Sequence, residues 1–457
     1  MNCHRAVFFP LSRLLADIVV FFQPSDFYRP FPELIYRISF ALFGHDLLPL
    51  RILLFLIMGA NLVLAYQFGK RLTGSREAGI LLALLSSTHM NLTSYYFNTG
   101  QLYDIFCYFF YFLGLVYYLG IRRQGRRLRW LETLALCGLY ILALDSKELA
   151  VSFPVALAAF ELLHTLPPLR LRPLLDWARR DLAPVWLTAV MTAAYIPGRV
   201  LASSGLAHTS GYTLEVSLAN YLKSAGFYLG ELFYKTGYFD IRRTLAVALL
   251  LLLGALWLRS RALAFCWILY FAGLLPMAFI GTRGLTAVWI PTAGLLLYGA
   301  IVVTGLRDAA LQRLRLGFLR PAAQVGLFLL TGWFLLHTHT GIRGLWESWQ
   351  EEYGSIRNLR SAMLRFCPAM PKGARMLFVT DPLNGTYSTV FLVQLLYRDS
   401  TSRVDQLFRF DPKPSPSELA QYQYVFDFVD GRLIQLDPEE YARGSAAPLP
   451  PDSQRRE

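Results

Sequence analysis

Leu47 to Tyr66 is an apolar run whose only strongly polar side chains are Arg51 and Asn61. A helix needs ~20 predominantly apolar residues to cross the hydrocarbon core of a bilayer. Comparable runs recur near residues 78–96, 102–121, 131–145, 149–166, 183–199, 244–258, 262–280, 285–306 and 322–338. On the length criterion this predicts about ten spans, the shorter runs matching least well. The whole chain agrees: of 457 residues, 55% are hydrophobic and 16% charged, with a mean hydropathy of +0.39. That is too apolar for a soluble domain of this length. The predicted fold class is therefore a polytopic α-helical membrane protein.

The net charge of +13 could point to nucleic acid, but the placement of the arginines argues for topology. Arg122, Arg123, Arg126, Arg127 and Arg129 fill one loop. Arg170, Arg172, Arg179 and Arg180 fill a second, Arg259 and Arg261 a third, and Arg307, Arg313, Arg315 and Arg320 a fourth. Lys70, Arg71 and Arg76 lie between the first two long runs. These loops alternate with loops poor in Lys and Arg, which predicts that they are cytoplasmic loops of a cell membrane protein. The opposite face then carries the N-terminal region, residues 97–101, the turn at 145–148, residues 200–242, residues 281–284 and everything after His339. The cysteines (Cys3, Cys107, Cys137, Cys266 and Cys367) include no CxxC pair and suggest neither a zinc site nor a disulfide framework. No cleavable signal peptide is evident, because Pro10, Arg13 and Asp17 interrupt the first apolar stretch. An N-terminus on the outer face with no span before it predicts a further membrane helix upstream of Met1.

Four regions are expected. Residues 1–46 form an outer-face amphipathic region, with Arg13 and Asp17 at i,i+4 spacing on an interfacial helix and a second amphipathic helix after a Pro-broken turn. Residues 47–338 form the multi-span domain, with 212–238 interfacial or re-entrant. Residues 339–445 form a non-cytoplasmic helix and a small α/β domain: a buried strand over Met376–Thr380, a helix over TVFLVQLLYRD, and a hairpin around Asp430-Gly431. Residues 446–457 form a Pro-rich disordered tail.

The unusual polar residues all fall on the arginine-poor face. Asp145, Lys147 and Glu148 crowd into four positions of ALDSKELAVSFPVALAAFELL. Asp and Lys each cost roughly 2.5–3.5 kcal/mol at the centre of a membrane helix, so these residues belong at a helix end, in a polar cavity, or with one another. A solvated turn satisfies that requirement as well as a site does. Asp104 begins an apolar run, where it can cap a helix or serve chemistry. Arg283 in FIGTRGLTAVWIPTAG is an interfacial anchor or an anion ligand, and Asp26 precedes Tyr28-Arg29-Pro30 as a turn residue or an acid–base group. Carboxylates with Lys and Arg at one membrane face suit anionic head-group recognition together with proton transfer. Glu161 and His164 approach the other face and read as structural, and His337 and His339 lack neighbouring metal ligands.

Four stretches carry a family resemblance. FYRPFPELIYRISFALFG resembles a YRPL…LFG outer-loop stretch, and YYFNTGQLYDIFCYFF a W-x-SGR-x-DLL stretch. DSKELAVSFPVALAAFELL resembles SKE-x-A-x-x-x-P…YEL, and TRGLTAVWIPTAG resembles R-x-x-YLP-x-AG. In this order they are similar to GT-C-type integral membrane glycosyltransferases, and more narrowly to bacterial relatives of the transmembrane O-mannosyltransferases that use polyprenyl-phosphate sugars. The SKE stretch is the most specific. Two features depart from the family: the usual acidic residue or pair of the first outer loop is not evident, and NTGQ replaces the SGR sequence.

The resemblance implies an inverting transfer of a sugar from a polyprenyl phosphate to an acceptor hydroxyl at the non-cytoplasmic face. Asp26, Asp104 and Glu148 would be the catalytic carboxylates, with Glu148 orienting Lys147. Lys147, Arg283 and Arg29 would bind the donor phosphate, and Tyr28 the substrate. The partners would be membrane lipid, the lipid-linked sugar and an acceptor protein, glycan or lipid, with no nucleic acid. The donor supplies its own phosphate. No cofactor is certain, and a divalent metal is compatible with the chemistry but unsupported. The alternatives are a transporter or flippase of lipid-linked sugars, which calls for inverted repeats and charges at mid-membrane, and an inactive scaffold paralogue.

Overall fold

The structure, a computed structural model, describes residues 7–23, 29–200, 215–381, 383, 388–410, 414–429 and 432–444. Two compact units divide it, one comprising Phe9–Ile342 and the other built on Arg343–Glu457.

The first unit is helical. Five helices among the described residues are long and apolar enough to cross a membrane: Leu48–Thr73, Thr99–Arg122, Arg261–Ala278, Leu285–Arg313 and Gly317–His337. The protein is thus a polytopic helical membrane protein. The other apolar runs form shorter helices, Trp130–Ser146, Phe153–His164, Ala183–Tyr195 and Ile241–Trp257, each below the ~20 residues that set the length criterion. The reason is local: Lys147 adopts an extended backbone (φ −162°, ψ 145°) that ends one helix, and Pro154 and Pro184 stand at the starts of the next ones. The N-terminal amphipathic helices appear at Leu11–Val19 and Pro30–Phe43. Of the segment 212–238 read as interfacial, Leu218–Leu232 is a helix and 212–214 lies outside the described residues.

Small residues let these helices approach closely, as association in lipid requires. A Cβ on Gly69 would lie 2.8 Å from the Gly79 Cα, so Leu48–Thr73 and Arg76–Thr88 meet backbone to backbone. Gly294 likewise admits the Cys266 carbonyl, 2.9 Å from where its Cβ would stand. Asn61 donates to the Ile105 carbonyl at 3.0 Å and ties Leu48–Thr73 to Leu102–Arg122. An aromatic cluster fixes the end of the bundle that matters below: the Trp289 ring lies 3.9 Å from Tyr108 and 4.4 Å from Tyr95.

The second unit carries a four-stranded sheet: β1 (Arg375–Phe378), β2 (Arg403–Gln406), β3 (Tyr424–Val429) and β4 (Arg432–Leu436), in the order β2-β1-β3-β4. β1 is parallel to both β2 and β3, while β3 and β4 are antiparallel with Val429 opposite Arg432. Asp430 and Gly431, the hairpin turn read from the sequence, lie outside the described residues. Leu359 and Met363, near the end of helix Arg320–Phe366, are buried with Met376, Phe378, Val393 and Phe426. β2 escaped the sequence reading because RVDQ is short and mostly polar, with Val404 its one apolar residue.

Candidate functional site

Helix Trp130–Ser146 runs through its apolar face until Lys147 turns the backbone into an extended conformation. A short 3₁₀ turn, Glu148–Ser152, follows, and Pro154 starts the next helix. The turn is held by Ala150 N–H donating to the Lys147 carbonyl at 3.1 Å and by the Ser152 hydroxyl, which donates to Leu149 O at 3.0 Å and meets the Tyr111 hydroxyl at 3.3 Å. Extended backbone sends successive side chains in opposite directions. Lys147 and Glu148, adjacent in sequence, accordingly find different partners.

The Lys147 ammonium donates to the Asp104 carboxylate and, at 3.4 Å, to the Ala287 carbonyl. Glu148 accepts both oxygens' worth of bonding from Arg29, with Nη2 at 3.0 Å from each oxygen and Nε at 3.3 Å from one. Such forked pairs fix orientation as well as charge. The Arg29 guanidinium also lies 4.9 Å from the centre of the Tyr103 ring, within cation–π range. Both pairs are largely dry: the side chains of Lys147 and Asp104 are 6% and 10% exposed, those of Arg29 and Glu148 14% and 3%. Burial alone would raise the Glu148 carboxyl, but Arg29 and then Lys147 outweigh it and hold the group below its usual range.

Each residue is placed by an element boundary. Asp104 sits in the first turn of helix Leu102–Arg122, where a carboxylate is favoured by the helix dipole. The cap itself is Gln101, so Asp104 is not the capping residue and is committed to Lys147. Arg29 caps helix Pro30–Phe43, with Pro30 at its first position. Arg283 lies in the exposed loop before the 3₁₀ turn Leu285–Val288, its backbone N–H 3.4 Å from the Tyr228 hydroxyl.

Arg29, Asp104, Lys147, Glu148 and Arg283 line one cavity of about 290 Å³, together with Tyr103 and Thr286. Five of the seven residues singled out in the sequence therefore converge. Asp26 and Tyr28 lie outside the described residues. The expected orientation of Lys147 by Glu148 is realised differently: Asp104 holds Lys147, and Glu148 braces Arg29. Tyr103 was missed because an aromatic residue at a helix start reads as an interfacial anchor. The Ala287 carbonyl could not have been found from side-chain chemistry at all. The arrangement offers cations for an anion beside carboxylates that can take a proton.

Residues 24–175 match the dolichyl-phosphate-mannose-protein mannosyltransferase family, a GT-C-type family. The matched segment contains Arg29, Asp104, Lys147 and Glu148; Arg283 lies beyond it. No match to the chain was found among the curated proteins or the solved structures. The family match and the apolar helices together support a multi-pass membrane glycosyltransferase.

Proposed function

We propose that the chain is an inverting glycosyltransferase that moves a sugar from a polyprenyl-phosphate donor to an acceptor hydroxyl at the non-cytoplasmic membrane face. The observation that carries this reading is the single cavity shared by Lys147, Arg29 and Arg283 with Asp104 and Glu148. Three cations against two carboxylates leave one formal positive charge, which suits the single negative charge of a sugar phosphodiester. In the reaction the acceptor oxygen attacks the anomeric carbon as the bond from that carbon to the phosphate oxygen breaks. The departing phosphate takes the electron pair and a second negative charge. Lys147 and Arg283, with Arg29, stabilise that charge as it develops. A carboxylate takes the hydroxyl proton: Asp104 is the candidate within the cavity, and Asp26, earlier in the chain, is the second. Glu148 keeps Arg29 aimed at the phosphate, and Tyr28 contacts the sugar. The acceptor is a protein, glycan or lipid.

The transporter reading gains nothing from the geometry, since Asp104 stands in the first turn of its helix and Lys147 at the end of another rather than at mid-span. The donor class is tested with the purified full chain in detergent, offered mannose either on a polyprenyl phosphate or on a nucleoside diphosphate. Transfer from the lipid donor alone, with inversion at the anomeric carbon, is the expected result. Transfer from the nucleotide sugar alone would refute the proposal.

A further inference from the structure

A second polar cavity opens at the far end of the same helices. Arg71, Tyr117, Gly120, Ile121, Arg123 and Gln124 line a space of about 390 Å³. It lies at the last turns of Leu48–Thr73 and Leu102–Arg122, whereas Asp104 lies in the first turn of the latter. At 1.5 Å per residue the two sites stand ~25 Å apart along the helix axis, a separation comparable to the ~30 Å hydrocarbon core. If the Asp104 end meets one head-group layer, this cavity meets the other.

Its charges are unlike those around it. Arg122 is paired with Glu161 and Asp181, Arg126 with Glu132, and Arg127 with Asp181. Arg71, Arg123 and the adjoining Lys70 make no ion pair with a carboxylate among the described residues. Their known contacts are neutral: Arg71 Nη1 donates to the Val116 carbonyl at 2.5 Å, Arg123 Nη1 donates to the Lys70 carbonyl at 3.3 Å, and the Lys70 ammonium lies 5.7 Å from the Tyr66 ring centre. The place is also built. A Cβ on Gly120 would overlap the Arg71 guanidinium, so glycine is what lets that side chain lie across the helix and reach Val116. A half-buried guanidinium fixed by one bond retains other N–H groups that can face the cavity.

We propose that this cavity binds a phosphate group presented at the arginine-rich membrane surface, with Arg71 and Arg123 as its ligands and an anionic phospholipid head group as the source that the bilayer geometry favours. The site is separate from the catalytic cavity and does not depend on the glycosyltransferase reading.

Native mass spectrometry of the purified full chain, released from neutral detergent with either phosphatidylglycerol or phosphatidylcholine added, reads the site directly. The wild type should retain phosphatidylglycerol in preference to phosphatidylcholine. Arg71→Ala with Arg123→Ala should lower that retention roughly tenfold or more, since each removes a charge-assisted hydrogen bond to the bound phosphate. Gly120→Ala keeps every charge but displaces Arg71, and should lose retention to a similar degree; the overlapping atoms are the tip of a flexible side chain, so the fold survives. Arg76→Ala with Arg129→Ala, exposed cations of the same face outside the cavity, should bind as wild type does. Competition by millimolar inorganic phosphate would mark the anion alone as the ligand, and its failure to compete would mark the lipid. Equal retention by the wild type and the Arg71/Arg123 variant would overturn the proposal. So would an equal loss in the Arg76/Arg129 control, which would reduce the effect to general surface charge.

Discussion

Lys147 and Glu148 occupy consecutive positions yet belong to two ion pairs, and the energetics of both follow from dryness. Removing one partner of a buried pair typically costs 3–5 kcal/mol (a rough range), because it strands a desolvated charge. Glu148→Gln should therefore release Arg29 and lower both stability and turnover, and Arg29→Lys in the otherwise native chain should lower both as well, since an ammonium cannot reproduce the forked geometry. Thermal midpoints and transfer rates of the variants check this. Glu33 is a different case. It is fully buried in helix Pro30–Phe43, and burial pushes its carboxyl up from 4.5 to about 8, outweighing the lowering effect of Arg29. Its folded pKa exceeds the unfolded one, so between those values the native state holds a proton that the unfolded state has lost. Stability contributed by neutral Glu33 is complete below pH ~4.5 and falls as pH rises toward ~8. Midpoints measured from pH 5 to 9 should fall in the wild type and stay flatter in Glu33→Gln. Parallel curves would place the Glu33 carboxyl in contact with water or a partner.

At the scale of elements, helix contact is set by where glycine permits backbones to touch. A Cβ on Gly79 would stand 2.6 Å from the Tyr66 carbonyl and 3.1 Å from the Lys70 nitrogen, both backbone atoms that cannot swing aside. Gly79→Leu should destabilise the unit by ~1–3 kcal/mol or more through overpacking, whereas Gly138→Ala, with nothing within 4 Å, should be neutral or stabilising by up to ~1 kcal/mol. Unfolding midpoints in detergent separate the two. Much of this layer was legible in the sequence. Apolar runs marked the helices, the Pro-broken turn announced the helix at Pro30–Phe43, and the strands on either side of Asp430-Gly431 followed from turn chemistry. The convergence of Asp104, Lys147, Glu148, Arg29 and Arg283 was legible only as a shared face. Partner choice was not: it depends on the extended backbone at Lys147, and a residue's neighbours in the chain do not reveal which way that backbone turns. Glu33 also escaped notice, because a glutamate after Pro32 at a helix start reads as a solvated first-turn acid.

For the whole molecule, two polar cavities at opposite ends of helix Leu102–Arg122 give the protein two chemically distinct faces. We propose from the arginine-rich loops that the second faces the cytoplasm, and from the same alternation of loops that the C-terminal residues lie outside it. A phosphatase fused at Pro451 should then be active and a β-galactosidase fused there inactive; the reverse would invert both faces. The central claim is that Lys147 stabilises a departing lipid phosphate. Its most direct test is the rate of sugar transfer from a polyprenyl-phosphate donor by purified Lys147→Met, compared with the wild type and with Lys147→Met/Asp104→Asn. The double variant removes both charges of the buried pair and so avoids a stranded carboxylate. Losing one preorganised donor to a transition-state charge typically costs ~10²–10³ in rate. The account predicts a loss of that size in the single variant and one at least as large in the double variant, which also lacks the candidate base Asp104, even where its thermal midpoint recovers. Recovery of wild-type turnover in the double variant would show that the pair only holds the fold, and would contradict the assignment of the site.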